Sequence, residues 1–264
     1  MRERPVLAFE RRMALADLLE QNPVLTVDDL ARRFNVSAQT VRRDFQYLEQ
    51  RGLITRTYGG AVARNGDPLS HERTFLAREA ERSAQKQAIA RVALALVEPG
   101  ATVIMDASTT ALHLARALPP DIELTAIVNA LPVGTELSRR PNVALTMIGG
   151  TMRHTSFSFT GPIAETNLRR LFADVAFISA RGLSLQRGLT EANPFESSLK
   201  EIMVANSRRV IALIDASKLE RTTLSFFAPV AAIDVLVTDD GADPQAVAQL
   251  RETGLQVHIA PVAP

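Results

Sequence analysis

From residue 102 onward, the sequence alternates between short apolar runs typical of β-strands and longer segments with helical periodicity. We predict seven strands at Thr102–Met105, Leu124–Val128, Val143–Ile148, Val175–Ser179, Val210–Ile214, Val235–Thr238 and Val257–Ile259. Most are separated by predicted helices at Thr109–Leu118, Leu131–Arg139, Ala164–Leu171, Phe195–Ser207 and Pro244–Glu252. Strands that are apolar throughout are typical of buried strands, so this pattern predicts an α/β domain whose mostly parallel sheet is covered by helices on both faces.

The preceding residues predict a smaller, helical module. A first helix is expected from Val6 to about Gln21, followed by a second at Val27–Phe34 with Thr26 as its N-cap. Ser37 is the expected cap of a third helix, which begins at Ala38 and ends before Gly52. The segment Leu53–Val62, with Gly59-Gly60 at its centre, then predicts a β-hairpin. Three short helices followed by a hairpin indicate a winged helix-turn-helix.

These patterns divide the 264-residue chain into two domains of unequal size. We assign residues 1–62 to the winged helix-turn-helix and residues 73–264 to the α/β domain. Residues 63–72 are polar, contain Gly66 and Pro68, and are the predicted linker. The second domain is expected to open with one long helix, Arg73–Val97.

The third helix is the candidate DNA reader. A buried stripe of apolar side chains (Ala38, Val41, Phe45 and Leu48) leaves on its other faces a set of polar ones: Gln39, Thr40, Arg42, Arg43 and Gln46. A helix fits the major groove of B-DNA, where Arg and Gln bond bidentately to guanine and adenine edges. Ser37 and Thr40 are placed to meet phosphate oxygens, and Arg56 on the hairpin is a further candidate contact.

Charge supports this interpretation only weakly. Residues 1–64 carry 11 basic and 8 acidic side chains, whereas the whole chain has a net charge of +1. The alternative is that Arg42 and Arg43 form an ordinary solvated face paired with Asp44 or Glu49. We favour DNA binding because the arginines follow a capped turn and precede a hairpin.

Composition excludes several classes of function. The chain has no cysteine, which excludes disulfide frameworks, thiolate metal sites and cysteine catalysis. No apolar segment is long enough to span a bilayer, and the N-terminal residues lack the apolar core of a signal peptide. We therefore expect a cytoplasmic protein with no cofactor and no metal.

The strongest candidate ligand site is the segment Asp106-Ala107-Ser108-Thr109-Thr110, which follows a predicted strand and opens a predicted helix. A helix N-terminus offers unpaired N–H groups and the positive end of the helix dipole, both of which favour a phosphate. Simple N-capping by Ser108 or Thr109 would explain one hydroxyl but not three. Asp106 would repel a phosphate, so we assign it to sugar hydroxyls or to loop stabilisation.

Other strand ends carry polar or glycine residues that turn chemistry alone could explain. They are Asn129, the pair Gly149 and Gly150, and the set Asp215, Ser217 and Lys218. Because the carboxyl ends of parallel strands share one edge of the sheet, we expect these groups to converge there. Arg153 and Lys86 are candidate phosphate cations, each with an ordinary surface role as its alternative. Glu196 and Lys200, four residues apart on a predicted helix, are also explicable as a surface pair.

Both modules resemble one family, the DeoR repressors. The stretch Val36–Phe45 is similar to the family's recognition-helix signature, and Arg56–Ala61 is similar to its wing, with Tyr58 where members usually have His. The second domain resembles the DeoR-type effector domain, which is similar in fold to ribose-5-phosphate isomerase. Here the resemblance rests on Lys86 with Ile89-Ala90, the Asp106–Thr110 loop, Asn129, Gly149-Gly150, Gly161, Gly188–Thr190, Glu196, Lys200, Asp215–Lys218 and Thr238-Asp239. Many members have Gly where Ser108 stands.

The resemblance implies a repressor of sugar or carbohydrate genes that binds double-stranded operator DNA and is controlled by a phosphorylated metabolite. The alternative is a sugar-phosphate isomerase fused to a DNA-binding module, with Glu196 as base, Lys200 as electrophile and Asp106 assisting. A two-fold operator implies at least a homodimer.

Overall fold

The computed structural model describes residues 11, 12, 14, 15, 18, 25–50, 54–57, 60–63 and 74–262. The chain divides into two compact units, residues 1–77 and residues 78–264. The predicted linker lies outside the described residues except for Ala63, which ends a strand, and only part of the predicted first helix is described.

The first unit is a small helical module with a three-stranded sheet. Its elements are β1 (Leu25–Thr26), α1 (Val27–Arg33), α2 (Ala38–Gln50), β2 (Ile54–Thr57) and β3 (Gly60–Ala63). Strands β2 and β3 form the expected antiparallel hairpin, and β1 adds to the outer edge of β3. The described helical residues 11–18 contribute Leu15 to the same core.

Local sequence chemistry sets the helix boundaries in this unit. Thr26 caps α1 by accepting a hydrogen bond from Asp29 N, as predicted. Asn35 adopts a positive φ of 50° in the turn that follows, a conformation that Asn tolerates better than most residues. Ser37 Oγ then accepts from Thr40 N at 3.1 Å and caps α2.

The second unit is built on a seven-stranded, fully parallel sheet. Its strands are β4 (Thr102–Met105), β5 (Leu124–Val128), β6 (Val143–Met147), β9 (Ala173–Ile178), β12 (Ser207–Leu213), β14 (Val235–Asp239) and β15 (Gln256–Ala260). Their order across the sheet is β15-β14-β12-β9-β4-β5-β6. All seven strands correspond to predicted ones, with boundaries that differ by at most a few residues.

Helices connect these strands and cover the sheet, as predicted for strands that are apolar throughout. They are α4 (Ser83–Leu94), α5 (Thr109–Ala117), α6 (Leu131–Leu137), α7 (Pro162–Leu168), α8 (Pro194–Ala205) and α9 (Pro244–Glu252). A short helix, α3 (Phe75–Ala80), precedes α4 in the chain. Helices α4, α5 and α6 pack side by side, whereas α7, α8 and α9 share a separate apolar core.

Short antiparallel strands were not predicted. They are the hairpin β7 (Thr151–Arg153) with β8 (Ser158–Thr160), and a three-stranded sheet of β10 (Gly182–Ser184), β11 (Gly188–Glu191) and β13 (Ser225–Ala228). Each of these strands has only three or four residues, and several of those residues are polar or glycine. The sequence therefore has no apolar run at these strands.

The prediction of one long helix at Arg73–Val97 is wrong. The segment forms two helices, α3 and α4, separated by a turn in which Arg82 has a φ of 52°. Apolar periodicity continues through the break, which is why the pattern did not reveal it. In the folded unit, the Lys86 ammonium bonds to the backbone carbonyls of Arg78 and Glu81.

The strand order places a topological switch point between β4 and β9. From β4 the chain moves through α5 and α6 to β5 and β6 on one side, then returns to β9 on the other side of β4. Connections leave β4 and β9 in opposite directions, so a crevice opens outside their carboxyl ends. The residues that follow these two strands, Asp106 and Ser179, are joined by a hydrogen bond.

Candidate functional site

Asp106 organises the loop at the switch point. Its Oδ1 accepts from Ser108 N at 3.1 Å and its Oδ2 accepts from Ser179 N at 2.8 Å. The Lys200 ammonium lies 3.0 Å from the same Oδ2. The Asp106 side chain is fully buried, and both oxygens hold the loop between β4 and α5. These contacts are those of a loop-stabilising residue, one of the two roles expected for it.

The loop hydroxyls have different surroundings. Ser108, at φ −96°, caps α5 by accepting from Ala111 N, so a residue with a Cβ fits this position without strain. Thr109 and Thr110 begin α5, where backbone N–H groups have no partner one turn earlier. Thr110 Oγ1 is buried without a hydrogen-bond partner. The capping alternative therefore accounts for one hydroxyl of the three.

Lys200 and Glu191 form a buried ion pair beside this loop. Lys200 Nζ lies 2.6 Å from Glu191 Oε2 and donates to the Ser179 carbonyl at 2.8 Å, while Arg181 Nε bonds to Glu191 Oε1 at 3.2 Å. Burial alone would raise the pKa of Glu191, but Lys200 and Arg181 outweigh burial and lower this pKa to about 2. Burial likewise acts to lower the pKa of Lys200, but Glu191 and Asp106 hold it above its usual value.

A second charged pair follows β12. Lys218 Nζ lies 3.2 Å from Asp215 Oδ2 and 3.2 Å from Ser179 Oγ, which links this pair to the switch point. Burial acts to raise the pKa of Asp215, but Lys218 and a hydrogen bond from Ser217 hold it below its ordinary value. Burial, followed by the nearby cation Arg181, lowers the pKa of Lys218 despite the opposing effect of Asp215.

Glu196 belongs to a third buried group. Its Oε1 accepts from Arg153 Nη1 at 2.8 Å, from Ser156 Oγ at 2.8 Å and from Ser158 Oγ. Both Glu196 and Lys200 are buried, so the alternative of a simple surface pair on α8 is wrong. Arg153 neutralises a carboxylate in this structure and is not an ordinary surface charge.

The remaining predicted residues lie at strand ends on the same edge of the sheet. Asn129, after β5, donates through Nδ2 to the Phe159 carbonyl at 3.2 Å, and its buried Oδ1 has no hydrogen-bond partner. At Gly150 a Cβ would lie 2.7 Å from the Thr160 carbonyl oxygen, so this glycine permits close packing. At Gly149 an added Cβ would meet open space.

Sequence reasoning did not single out four residues that complete these groups. Ser179, Arg181 and Glu191 surround Lys200 and Lys218, and Ser156 helps to hold Glu196. Ser179 is the last residue of a predicted strand, which was a usable signal. Glu191 follows Gly188–Thr190, whose strand is too short to stand out in the sequence.

The surface of α2 agrees with the helical stripe. Val41, Phe45 and Leu48 are buried, whereas Ser37, Gln39, Arg42, Arg43 and Gln46 are exposed and Thr40 is half-buried. Asp44 is buried and bonds to Arg11 Nε at 2.6 Å and to Arg12 Nε at 2.7 Å, so it does not neutralise Arg42 or Arg43. Within the part of the chain that the structure describes, neither Arg42 nor Arg43 has an ion-pair partner. The backbone of Arg56 lies in β2.

Surface depressions of about 420 and 400 Å³ lie at the opposite, amino-terminal edge of the sheet. Asp174 and Arg208 line both, near the start of β9 and β12.

No helix among the described residues is long and apolar enough to cross a membrane. In the same described ranges, no cluster of three or more His, Asp or Glu side chains forms a candidate metal site.

Two family models match this chain. Residues 11–66 match the DeoR-like helix-turn-helix domain, and residues 81–240 match the DeoR C terminal sensor domain. The chain is 33% identical to the uncharacterized HTH-type transcriptional regulator YulB of Bacillus subtilis, over 98% of this chain and 99% of that protein. It is 33% identical to the HTH-type transcriptional regulator GolR of Listeria innocua, over 96% of this chain and 98% of that protein.

A third relative is the transcriptional repressor AccR of Agrobacterium fabrum, which is 34% identical over 88% of this chain and 90% of that protein. Among solved structures, ribose 5-phosphate isomerase A of Methanocaldococcus jannaschii aligns with 53% of this chain and 55% of its own. The TM-score is 0.39 at 17% identity, a likeness too distant to support an argument about fold or chemistry.

Proposed function

Because this chain belongs to the DeoR family of HTH-type transcriptional regulators, we propose that it is a repressor controlled by a phosphorylated sugar or a related metabolite. The observation that carries the proposal is the switch point between β4 and β9. There, the N-terminus of α5, the unpartnered Thr110 hydroxyl, the buried cation Lys200 and the half-buried cation Lys218 lie at one edge of the sheet.

A phosphorylated ligand suits the charge of this edge. The pKa values of both Lys86 and Lys218 are lowered, first by burial and also by neighbouring cations. The nearby carboxylates therefore do not fully offset the cost of burying each ammonium charge. A dianion placed between these ammonium groups and the first N–H groups of α5 would stabilise the charged lysines. The buried Asn129 amide oxygen is available to accept from a sugar hydroxyl. Gly149 borders open space, where a ligand would come close to the backbone.

The DNA-binding surface is proposed to be the exposed face of α2. Gln39, Arg42, Arg43 and Gln46 would face base edges in the major groove, while Ser37 and Thr40 would meet phosphates near the start of the helix. Arg56 on the wing would add a backbone or minor-groove contact. A two-fold operator would require at least a dimer of this chain, and its DNA partner would place it in the cytoplasm.

Binding without turnover is the better interpretation of the buried charges. A general base for isomerisation needs a pKa near the working pH. The pKa of Glu191 is held at about 2, and the pKa of Asp215 is also lowered. Glu196 already accepts from three donors, and both oxygens of Asp106 hold the loop. These carboxylates are suited to fixing a binding site rather than to accepting a substrate proton.

A thermal-shift screen tests the proposed ligand class. The full-length protein is heated with triose, pentose and hexose phosphates, and with the same sugars without phosphate. A ligand at a concentration one hundred times its Kd stabilises the folded state by about 2.7 kcal/mol. We expect stabilisation by at least one phosphorylated sugar and none by its unphosphorylated counterpart. Stabilisation that is independent of the phosphate would contradict the proposal.

The isomerase alternative is tested on the same panel. Each stabilising sugar phosphate is incubated with the protein and the mixture is assayed for its aldose or ketose isomer. We expect the ligand to be recovered unchanged. Formation of the isomer at a rate proportional to protein concentration would favour the enzyme.

A further inference from the structure

The break between α3 and α4 is held by one buried side chain. Helix α3 ends at Ala80 and α4 begins at Ser83, with Arg82 in the left-handed region at φ 52° and ψ 38°. This conformation is unfavourable for a residue with a Cβ and persists only where surrounding contacts impose it. The break therefore requires interactions that a continuous helix would not need.

Lys86 supplies such an interaction. Its ammonium donates to the backbone carbonyls of Arg78 and Glu81, on the two sides of the last residue of α3. Carbonyls at a helix C-terminus have no N–H partner in their own helix, and a cation there is favoured by the helix dipole. The Lys86 side chain is only 4% exposed, so water cannot easily replace it. Lys86 thus fastens α4 to the end of α3.

The same ammonium lies within the electrostatic reach of the proposed ligand site. Burial is the first cause that lowers the pKa of Lys86 to about 8, and Lys218 is the second. Asp215 acts in the opposite direction. Lys218 is itself bonded to Ser179 Oγ at the switch point. The charges of Lys86 and Lys218 therefore influence each other, and the Lys86 ammonium also contacts the end of α3.

We propose that Lys86 couples ligand occupancy to α3. A phosphate bound beside Lys218 competes with the carbonyls of Arg78 and Glu81 for the Lys86 ammonium, and the α3–α4 break loosens when the ammonium turns toward the anion. This inference rests on the proposed function, because it requires an anionic ligand at the switch point. Helix α3 spans the boundary between residues 1–77 and residues 78–264, so the break lies beside the division between the two units.

Amide hydrogen exchange on the full-length protein tests this coupling, with inorganic phosphate as the probe and sodium chloride at equal ionic strength as the reference. Phosphate should increase exchange several-fold at residues 78–82 and leave α9 unchanged. In Lys86→Met the same amides should exchange rapidly without phosphate and show no further change when it is added. In Lys218→Met they should stay protected in both solutions, because the carbonyls keep their donor while the anion loses a partner.

Arg91→Met is the matched control, since Arg91 is an exposed cation on the same helix, and this variant should behave as the wild type. If no sugar phosphate of the thermal-shift panel stabilises the wild type, the proposed function fails and the coupling fails with it. If a sugar phosphate stabilises the wild type and inorganic phosphate does not, that sugar phosphate replaces inorganic phosphate as the probe. If phosphate stabilises the wild type but residues 78–82 exchange as before, only the coupling is overturned. This second comparison uses the wild type alone, so it decides the question even if Lys86→Met does not fold.

Discussion

At the scale of single residues, the candidate ligand site contains charged side chains that are buried and bonded to one another. Lys200 contacts both Glu191 and Asp106, and all three side chains are almost fully inaccessible to water. Burying an unpaired charge destabilises the folded state, so removing any one of these residues leaves the others without full pairing. The pairing also fixes the loop that opens α5, because Asp106 holds that loop and Lys200 holds Asp106.

Glu191 is expected to be critical for stability. Glu191→Gln leaves the buried Lys200 ammonium with Asp106 as its remaining carboxylate, and breaking a buried pair from one side costs about 3–5 kcal/mol. The free energy of unfolding, measured in urea at pH 7, should fall by an amount of this order. Glu165→Gln, on the half-buried carboxylate of a weak helical pair, is the control and should change stability little.

The same carboxylate predicts a dependence on pH. The pKa of Glu191 in the folded state is about 2, below its ordinary value of 4.5, so the unfolded chain binds the proton more readily. The stabilisation is fully present above pH 4.5 and is lost as the pH falls from 4.5 toward 2. Unfolding free energies between pH 6 and pH 2.5 should fall more steeply for the wild type than for Glu191→Gln. Parallel curves would contradict the assignment.

Thr109 and Thr110 are the residues through which the phosphate proposal is most directly tested. Changing both to Val keeps their shape and removes two hydroxyl donors, at a cost of about 1–3 kcal/mol for each lost bond to a buried anion. The thermal shift produced by the stabilising sugar phosphate should shrink or vanish. Operator affinity without ligand should stay near that of the wild type.

Thr125→Val, at the opposite end of the sheet, is the control for this double variant and should respond as the wild type. A Thr109→Val, Thr110→Val protein that binds and responds at the wild-type ligand concentration would place the phosphate elsewhere. Lys218 and Arg153 would then be the next residues to test.

At the scale of elements, α2 has an apolar face that packs in the core and an exposed face that carries Arg42 and Arg43. The buried ion pairs of Asp44 with Arg11 and Arg12 hold this helix against the N-terminal helical residues. Asp44, which directly follows Arg43 in the chain, is therefore already neutralised. This arrangement leaves both arginines exposed for a polyanion.

Replacing Arg42 or Arg43 by Ala should weaken operator binding by about 1–3 kcal/mol if the residue reads a base bidentately. Binding to unrelated DNA should weaken less, and the affinity of the wild type should fall steeply as salt rises. Gel-shift titrations at two salt concentrations measure both effects. Arg187→Ala, an exposed cation of the second unit, is the control. Unchanged operator affinity in both helix variants, with folding intact, would contradict the assignment of α2.

At the scale of the whole molecule, the chain divides between Ala77 and Arg78, whereas the sequence placed its linker at residues 63–72. Helix α3 crosses that division, so it belongs structurally to neither unit alone. The seven-stranded sheet and its helices lie entirely in residues 78–264, which contain the whole proposed ligand site. The second unit therefore has the core it needs to fold separately.

A fragment comprising residues 72–264 is expected to fold and to bind the same sugar phosphate as the full chain. Limited proteolysis should first cut near Gly66–Pro68 and release a fragment of this size. Thermal unfolding of the fragment with and without ligand measures both properties. An insoluble fragment, or one that no longer responds to the ligand, would show that the domain boundary is misplaced.

The sequence by itself determined most of the architecture. Apolar runs identified all seven parallel strands, and for the inner strands the reason is that a strand buried on both faces needs apolar side chains on both. Capping residues located the starts of α1, α2 and α5, since Thr26, Ser37 and Ser108 satisfy N–H groups that lie only a few residues away. The packing face and the exposed face of α2 were also predictable, because they follow from the helical period alone.

Tertiary structure decided what local patterns cannot encode. The partners of Lys200 come from three separate parts of the chain, and only the order of β4 and β9 in the sheet brings Asp106 and Ser179 together. The short strand that carries Glu191 is stabilised by its neighbours β10 and β13 rather than by its own composition. At the break near Arg82, the Lys86 ammonium bonds to the carbonyls of Arg78 and Glu81, a contact that the apolar period running through both helices does not reveal.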